Sequence, residues 1–252
     1  MRQVQRLEIH GGQDRDGRPE SLDLVAVNRG EALAVVGPTG SGKSELLSDI
    51  EQLAGGDTPS RRRITLDGLV VERGAIGLVA TLSQRTNFVM DASVRTFVDL
   101  HATCQAKSGQ GLVQRVLDLA NTLCGEPMRA DDRLQGLSGG QTRALMIADI
   151  ALVSDSPVVL IDEVENAGID KHRALAALAG QGKIVLTATH DPVLMLMNNR
   201  RVVMSGGGMR RLIKVDGEEL TWLNRLGELD NILGQARDVL RAGKTLRGEV
   251  PA

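Results

Sequence analysis

The chain has 252 residues, enough for one large domain with a substantial buried core. Its 30 basic and 32 acidic side chains leave a formal net charge of −2, so no global positive field exists to gather nucleic acid or an anionic bilayer. Aromatics make up 1% of the chain, too few for a base-stacking platform, no apolar run is long enough to span a membrane, and Cys104 and Cys124 sit in no CxxC or Cys/His spacing that would hold zinc.

The opening MRQVQRLEIH has no apolar stretch of the secretory kind, and with two thiols the expected compartment is reducing and cytoplasmic. Residues 3–9 alternate as a strand, GGQDRDGRPES is turn chemistry throughout, and LDLVAV (22–27) is a second strand. ALAVVG (32–37) is a continuous apolar run, the pattern of a fully buried strand, and KSELLSDIEQLA (43–54) has helical spacing that stops at Gly55-Gly56. Arg61, Arg62 and Arg63 read as a solvated turn before the strand RRITLDG, and IGLVATLSQ is a further strand.

From 91 to 136 the pattern changes to apolar residues at i, i+3, i+4 and i+7, predicting a helical subdomain. Beyond it come a helix (QTRALMIADIALV), a buried strand (PVVLID), a short helix (HRALAALAG), another buried strand (KIVLTATH) and a hairpin (RVVMSGGGMRRLIKV). The tail from Glu218 to Leu246 is helical and amphipathic, with Trp222, Leu223, Leu226, Leu229, Ile232 and Leu233 read as packing residues. Buried strands alternating with helices predict an α/β fold with a mostly parallel sheet covered on both faces. The expected organisation is one domain: an α/β core (1–90 and 150–215), a helical subdomain (91–149) and a helical tail (216–252).

GPTGSGKS at 37–44 matches G-x-x-x-x-G-K-[ST] between a buried strand and a helix. Gly37, Gly40 and Gly42 let backbone N–H groups converge on one concavity, joined by Pro38, Thr39, Ser41 and Glu45 in the candidate ATP-binding set. Lys43 supplies a point charge for the β- and γ-phosphates, and Ser44 a hydroxyl for Mg²⁺. Asp162 and Glu163 follow a buried strand, where an α/β sheet binds ligands: Asp162 is the candidate Mg²⁺ carboxylate and Glu163 the candidate base for the attacking water. His190 ends the strand expected beside that one, within reach of a γ-phosphate, and Gln84 ends a third apolar run as a candidate contact to both Mg²⁺ and water.

These residues, with LSGGQ at 137–141 and Asp170, occur in the order that marks an ATP-binding cassette (ABC) ATPase, which the chain resembles from about residue 3 to about 215. The resemblance implies Mg²⁺-dependent ATP hydrolysis by a homodimer, or a pseudo-symmetric heterodimer, pairing head to tail. Ser138, Gly139, Gly140 and Gln141 of each copy would then close on the ATP held by the other, with Asp170 in the loop that crosses the seam. Physically, Ser138 is in a capping position and the helix behind it offers N–H groups to an anion.

The chain departs from the family at Val164, where proline is usual, and in the short connection from Asp170 to His190. Relatives stack adenine on an aromatic near the end of the first strand; here His10 holds the comparable place, open to stacking or to an ordinary surface role. The resemblance points first to the ATP-binding subunit of a membrane transporter, whose membrane subunits are separate chains, with this one peripheral on the cytoplasmic face. Phe88, Val89 and Met90 either receive that subunit or cap the helical subdomain. The alternative is a soluble ABC ATPase acting on a cytosolic partner, as in metallocofactor maturation or repair. No direct contact with nucleic acid is expected.

Overall fold

The computed structural model of the chain describes residues 3–71, 75, 77–83, 87–107, 109–162 and 168–247. Alternation in RLEIH becomes β1 (Arg6–His10), with Leu7 and Ile9 fully buried and Glu8 and His10 on the opposite face. β1 pairs antiparallel with β2 (Leu24–Asn28). The buried run ALAVV forms β3 (Ala32–Val36), and α1 (Lys43–Glu51) follows it. Expected to reach Ala54, α1 closes earlier: the Gln52 N–H returns to the Ser48 carbonyl and Leu53 takes a left-handed φ of 50°. β4 (Arg63–Leu66) pairs with β1, and β5 (Leu69–Val70) completes a four-stranded antiparallel sheet in the order β2-β1-β4-β5.

β6 (Val79–Ser83) leads into the helical region. There α2 (Val94–Cys104) is capped by Ser93, and α3 (Leu112–Leu123) and α4 (Gly139–Leu152) follow, with a 3₁₀ turn at Leu134–Gly136 before α4. β7 (Val158–Asp162), α5 (Lys171–Gly180) and β8 (Ile184–Ala188) come next. α6 (Pro192–Met197), a helix the periodicity does not predict, is capped by Asp191 with proline in its first turn. The hairpin is β9 (Arg200–Ser205) and β10 (Gly208–Lys214), and the tail is one helix, α7 (Gly217–Arg241).

The second sheet has the order β10-β9-β3-β8-β7-β6, parallel except for β10. Its central strands are apolar on both faces because both faces are covered. Val159, Ile161 and Val185 meet the core built by α2–α5, while Leu160, Ile184 and Leu186 meet a second core around α1. That helix lies between the two sheets, with Leu46, Leu47 and Ile50 packed among Leu7, Ile9, Val25 and Ile64 of the antiparallel sheet. Among the described residues no helix is long and apolar enough to cross a membrane.

One expectation fails outright. Arg62 is not part of a solvated turn: it is fully buried. Its guanidinium donates to both Glu20 carboxylate oxygens, to Asp49 Oδ2 at 2.9 Å and to the Gly207 carbonyl at 2.5 Å. Glu20 also accepts from the Gly12 and Met209 N–H groups, and Ser60 donates to Asp49. Burial by itself would lower the Arg62 pKa, but hydrogen bonds and charge from Glu20 and Asp49 outweigh it and hold the group above its ordinary value. A run of like charges says "solvent" only when no buried carboxylates wait to receive one member of it.

Candidate functional site

The sheet order brings the ends of β3, β8, β7 and β6 to one edge, and Lys43, Asp162 and His190 gather there. The 37–42 loop leaves β3 and enters α1 through Gly42, whose φ of 102° favours glycine. A Cβ on Gly42 would lie 2.8 Å from Gly207 Cα, so the turn of the β9–β10 hairpin packs directly on the loop. The Gly207 N–H donates to the Ser41 carbonyl at 2.9 Å, fixing that contact. No side chain caps α1, so its dipole end faces the loop with Glu45 in the first turn. Pro38, Thr39 and Gly40 form an exposed rim, Ser41 is buried, and Ser44 is exposed.

Lys43 reaches back into the cradle it follows. Its ammonium donates to the carbonyls of Gly37 at 2.9 Å and Pro38 at 3.4 Å, and His190 Nε2 lies 2.9 Å away. An ammonium only donates, so in this contact the His190 nitrogen is the acceptor. His190 follows β8, whose register sets Ala188 opposite Asp162 of β7, and Asp162 in turn is opposite Ser83 of β6. Gln84 and Glu163 lie outside the described residues, as do Val164 and its neighbours to 167. A cradle with space for glycine alone, a buried ammonium and a helix N-terminus fit a triphosphate; the Ser44 hydroxyl and Asp162 carboxylate are hard oxygen donors suited to Mg²⁺.

The LSGGQ segment (137–141) is a separate place. Ser138 caps α4 through a reciprocal capping box: its Oγ accepts from the Gln141 N–H at 3.3 Å and its own N–H donates to Gln141 Oε1 at 2.9 Å. Gly139 and Gly140 are thus the first helical residues, with no side chains in front of their N–H groups. Asp170 caps α5, accepting from the Arg173 N–H, and its own N–H donates to the Leu123 carbonyl, tying this loop to the end of α3. Ser138–Gln141 and Gly168–His172 line one cleft of about 1220 Å³ whose third wall is α7. No residue from 37 to 45 lines it. The structure therefore brings Lys43, Asp162 and His190 to one edge and Ser138 and Asp170 to another.

His10 is engaged on the antiparallel sheet, its Nε2 3.2 Å from Thr65 Oγ1. Arg15, a residue the sequence reading passed over, touches the rim of the phosphate loop: its Nη2 donates to the Gly40 carbonyl at 2.9 Å, and its backbone N–H donates to the Gly206 carbonyl. Arg15 lies in a stretch of turn residues without periodicity, so no pattern marked it. Phe88 packs edge-on against Phe97, with ring centroids 4.8 Å apart, and joins the helical core, whereas Val89 is 95% exposed.

Comparison with known proteins agrees with this geometry. The family model described as "ABC transporter" matches residues 23–166. The chain is 50% identical over 252 residues to an uncharacterized ABC transporter ATP-binding protein of Methanocaldococcus jannaschii, covering 98% of this chain and 97% of that one. It is 31% identical over 196 residues to the macrolide export ATP-binding/permease protein MacB of Psychrobacter cryohalolentis, but spans only 29% of that protein's length. Among solved structures, the chain shares its fold with cbiO1 of Clostridium perfringens, part of the ABC transporter complex cbiONQ (TM-score 0.63, 22% identity, 96% and 98% of the two chains). It likewise matches an ATP-binding cassette of an ABC transporter in its ADP conformation (TM-score 0.60, 17% identity, 89% and 96%). A family match over more than half the chain and a full-length relative sharing half its residues show that this chain belongs to the ABC transporter family, as one of its ATP-binding ATPases.

Proposed function

We propose that two copies bind two ATP molecules head to tail, each triphosphate held by the 37–44 loop of one copy and closed by Ser138–Gln141 of the other. One observation carries this reading: the 37–42 loop leads into the start of α1, Gly139 and Gly140 open α4 with no side chains in front of their N–H groups, and the cleft at the second contains no residue of the first. A single chain cannot use both grips on one phosphate, whereas two chains can. In this scheme Lys43 turns from its own carbonyls to the β- and γ-phosphates, and His190, released from Lys43, hydrogen-bonds the γ-phosphate. Ser44, Asp162 and Gln84 hold Mg²⁺, which supplies charge neutralisation at the phosphates, and Glu163 takes a proton from the attacking water. Asp170 crosses the seam. For the base, Arg15 is better placed than His10, since a planar guanidinium at the loop's rim can stack on a purine.

The work done by hydrolysis is transport, driven through an integral-membrane subunit on a separate chain. The support is the name of the full-length relative and the transporter complex to which the cbiO1 structure belongs. Exposed Val89 and Met90, beside the helical subdomain, are the apolar contacts offered to that subunit. Glu163→Gln tests the core of the scheme. It should lower turnover by about 10²-fold or more, the usual contribution of a positioned base, and leave a stable ATP-bound dimer in sedimentation equilibrium. Unchanged turnover removes Glu163 from its role, and a monomer at saturating ATP removes the sandwich.

A further inference from the structure

The 37–44 loop and the Ser138 cleft are separate places, yet one ion pair runs between them. Lys171 directly follows Asp170, and Asp191 directly follows His190. The Lys171 ammonium donates to Asp191 Oδ2. Both side chains are largely withdrawn from solvent, 15% and 12% exposed, so salt screens the pair far less than one at the surface. Lys171 also lines the cleft, where the Asp230 carboxylate of α7 lies 3.9 Å from its Nζ. Its ammonium thus stands between a carboxylate of the cleft wall and the carboxylate next to His190.

The Asp191 end is built to hold a position. Its Oδ1 accepts from the Val193 and Leu194 N–H groups at 2.8 and 3.3 Å, which caps α6, while Oδ2 takes Lys171. Capping uses Oδ1 alone, so the pair with Lys171 adds nothing that the helix start requires. The Asp191 N–H donates to Thr189 Oγ1 at 3.0 Å, and the fully buried Thr189 is tied to β3 by its own N–H, which donates to the Val35 carbonyl at 3.3 Å. His190 is therefore carried on a short bend pinned at both ends, to the sheet before it and to Lys171 after it.

We propose that Lys171 is a positioning residue for ATP hydrolysis: through Asp191 it sets where His190 stands once a partner has engaged the cleft at Asp170. The inference rests on the head-to-tail reading above. A second copy seated on Ser138 and Asp170 fixes the start of α5, and with it Lys171, Asp191 and His190 in turn. Lys171 itself touches no phosphate in this scheme and acts only through Asp191. One charge-assisted hydrogen bond of this kind is enough to move a rate about tenfold.

The test is steady-state ATP hydrolysis by the full-length chain carrying Lys171→Met, Lys171→Arg, Asp191→Asn, or Lys171→Met with Asp191→Asn. Methionine keeps an unbranched stem, and asparagine keeps an oxygen that can cap α6. Lys171→Met and Asp191→Asn should each lower kcat about tenfold and leave KM within about twofold, because the loop at 37–44 is untouched. Lys171→Arg should recover most of kcat, and the double variant should be no slower than either single one, since the two side chains act as a unit. In the Glu163→Gln background, Lys171→Met should still dimerise with ATP in sedimentation equilibrium, which places the loss in hydrolysis and not in assembly. Unchanged kcat in Lys171→Met, a loss that arginine does not restore, losses that multiply in the double variant, or a loss explained by failed dimerisation overturns the positioning role. A Glu163→Gln chain with Lys171 intact that stays monomeric at saturating ATP overturns the nucleotide sandwich itself, and the two failures are thereby told apart.

Discussion

Arg62 shows what one buried charge does for the nucleotide loop. It joins α1 through Asp49, the 11–20 segment through Glu20 and the β9–β10 turn through the Gly207 carbonyl, and Gly207 is the backbone that Gly42 packs on. Three pieces of chain that frame the phosphate loop are thus held by one guanidinium. Replacing Arg62 with methionine keeps the volume but strands two buried carboxylates, a loss of about 3–5 kcal/mol by analogy with broken buried pairs. Chemical denaturation should show that loss, and isothermal titration should show weaker ATP binding in whatever folds. A variant within about 1 kcal/mol of the parent would mean that water or rearrangement satisfies Glu20 and Asp49 without the arginine. Arg15 works at the same scale and closer to ligand. Arg15→Ala should leave the fold intact, because its side-chain bond to Gly40 is what is lost, and should weaken ATP binding about two- to fivefold, the worth of one exposed cation–π contact. Equal ATP affinity in fluorescence titration would return the purine to His10.

At the scale of elements, the helical subdomain is stitched by a titratable pair. His101 of α2 lies 2.8 Å from the Asp149 carboxylate of α4, and that hydrogen bond, opposed by burial, raises the imidazole above its ordinary 6.5. A histidine whose folded pKa is raised adds stability that is complete below pH 6.5 and is lost as pH climbs through the higher folded value. Thermal unfolding of the parent and of His101→Gln should therefore differ most in mild acid and converge in mild base; a constant gap across that range would assign the effect to packing. These helices were legible as amphipathic periods, and the strands β3, β7 and β8 as unbroken apolar runs, because a sheet buried on both faces leaves no other solution. The order of motifs was legible too, since a phosphate cradle needs glycines at fixed steps and a helix start needs a cap such as Ser138. What escaped notice lacks any period. α6 is six residues long, and only Asp191-Pro192 announces it. Arg15 and Arg62 take their meaning from contacts with Gly40, Gly206 and Gly207, distant in sequence, which local pattern cannot express. The stripe of α7 was visible as apolar residues, but the exposure of Trp222 (64%) and Leu233 (61%) belongs to the fold.

For the whole molecule the decisive fact is that the 37–44 loop and the Ser138 cleft are separate places. If each grip served its own ligand, a nucleotide would stabilise the single chain, and its effect on the melting temperature would not depend on protein concentration. If one triphosphate is shared by two chains, ligand and association are linked, and the shift must grow with protein concentration. ADP lacks the terminal phosphate that the second chain would hold in that scheme, so it should behave as a one-chain ligand. In the Glu163→Gln chain with Mg²⁺, the ATP-induced rise in melting temperature should therefore increase between about 1 and 100 µM protein, spanning the micromolar range typical of ligand-linked association, while the ADP-induced rise stays flat. Ser138→Arg, which fills the partner-facing grip and leaves residues 37–44 untouched, should make ATP behave like ADP. A concentration-dependent rise surviving in that variant would show that the copies meet through some other surface, and would leave the capping box at Ser138 as a helix start alone.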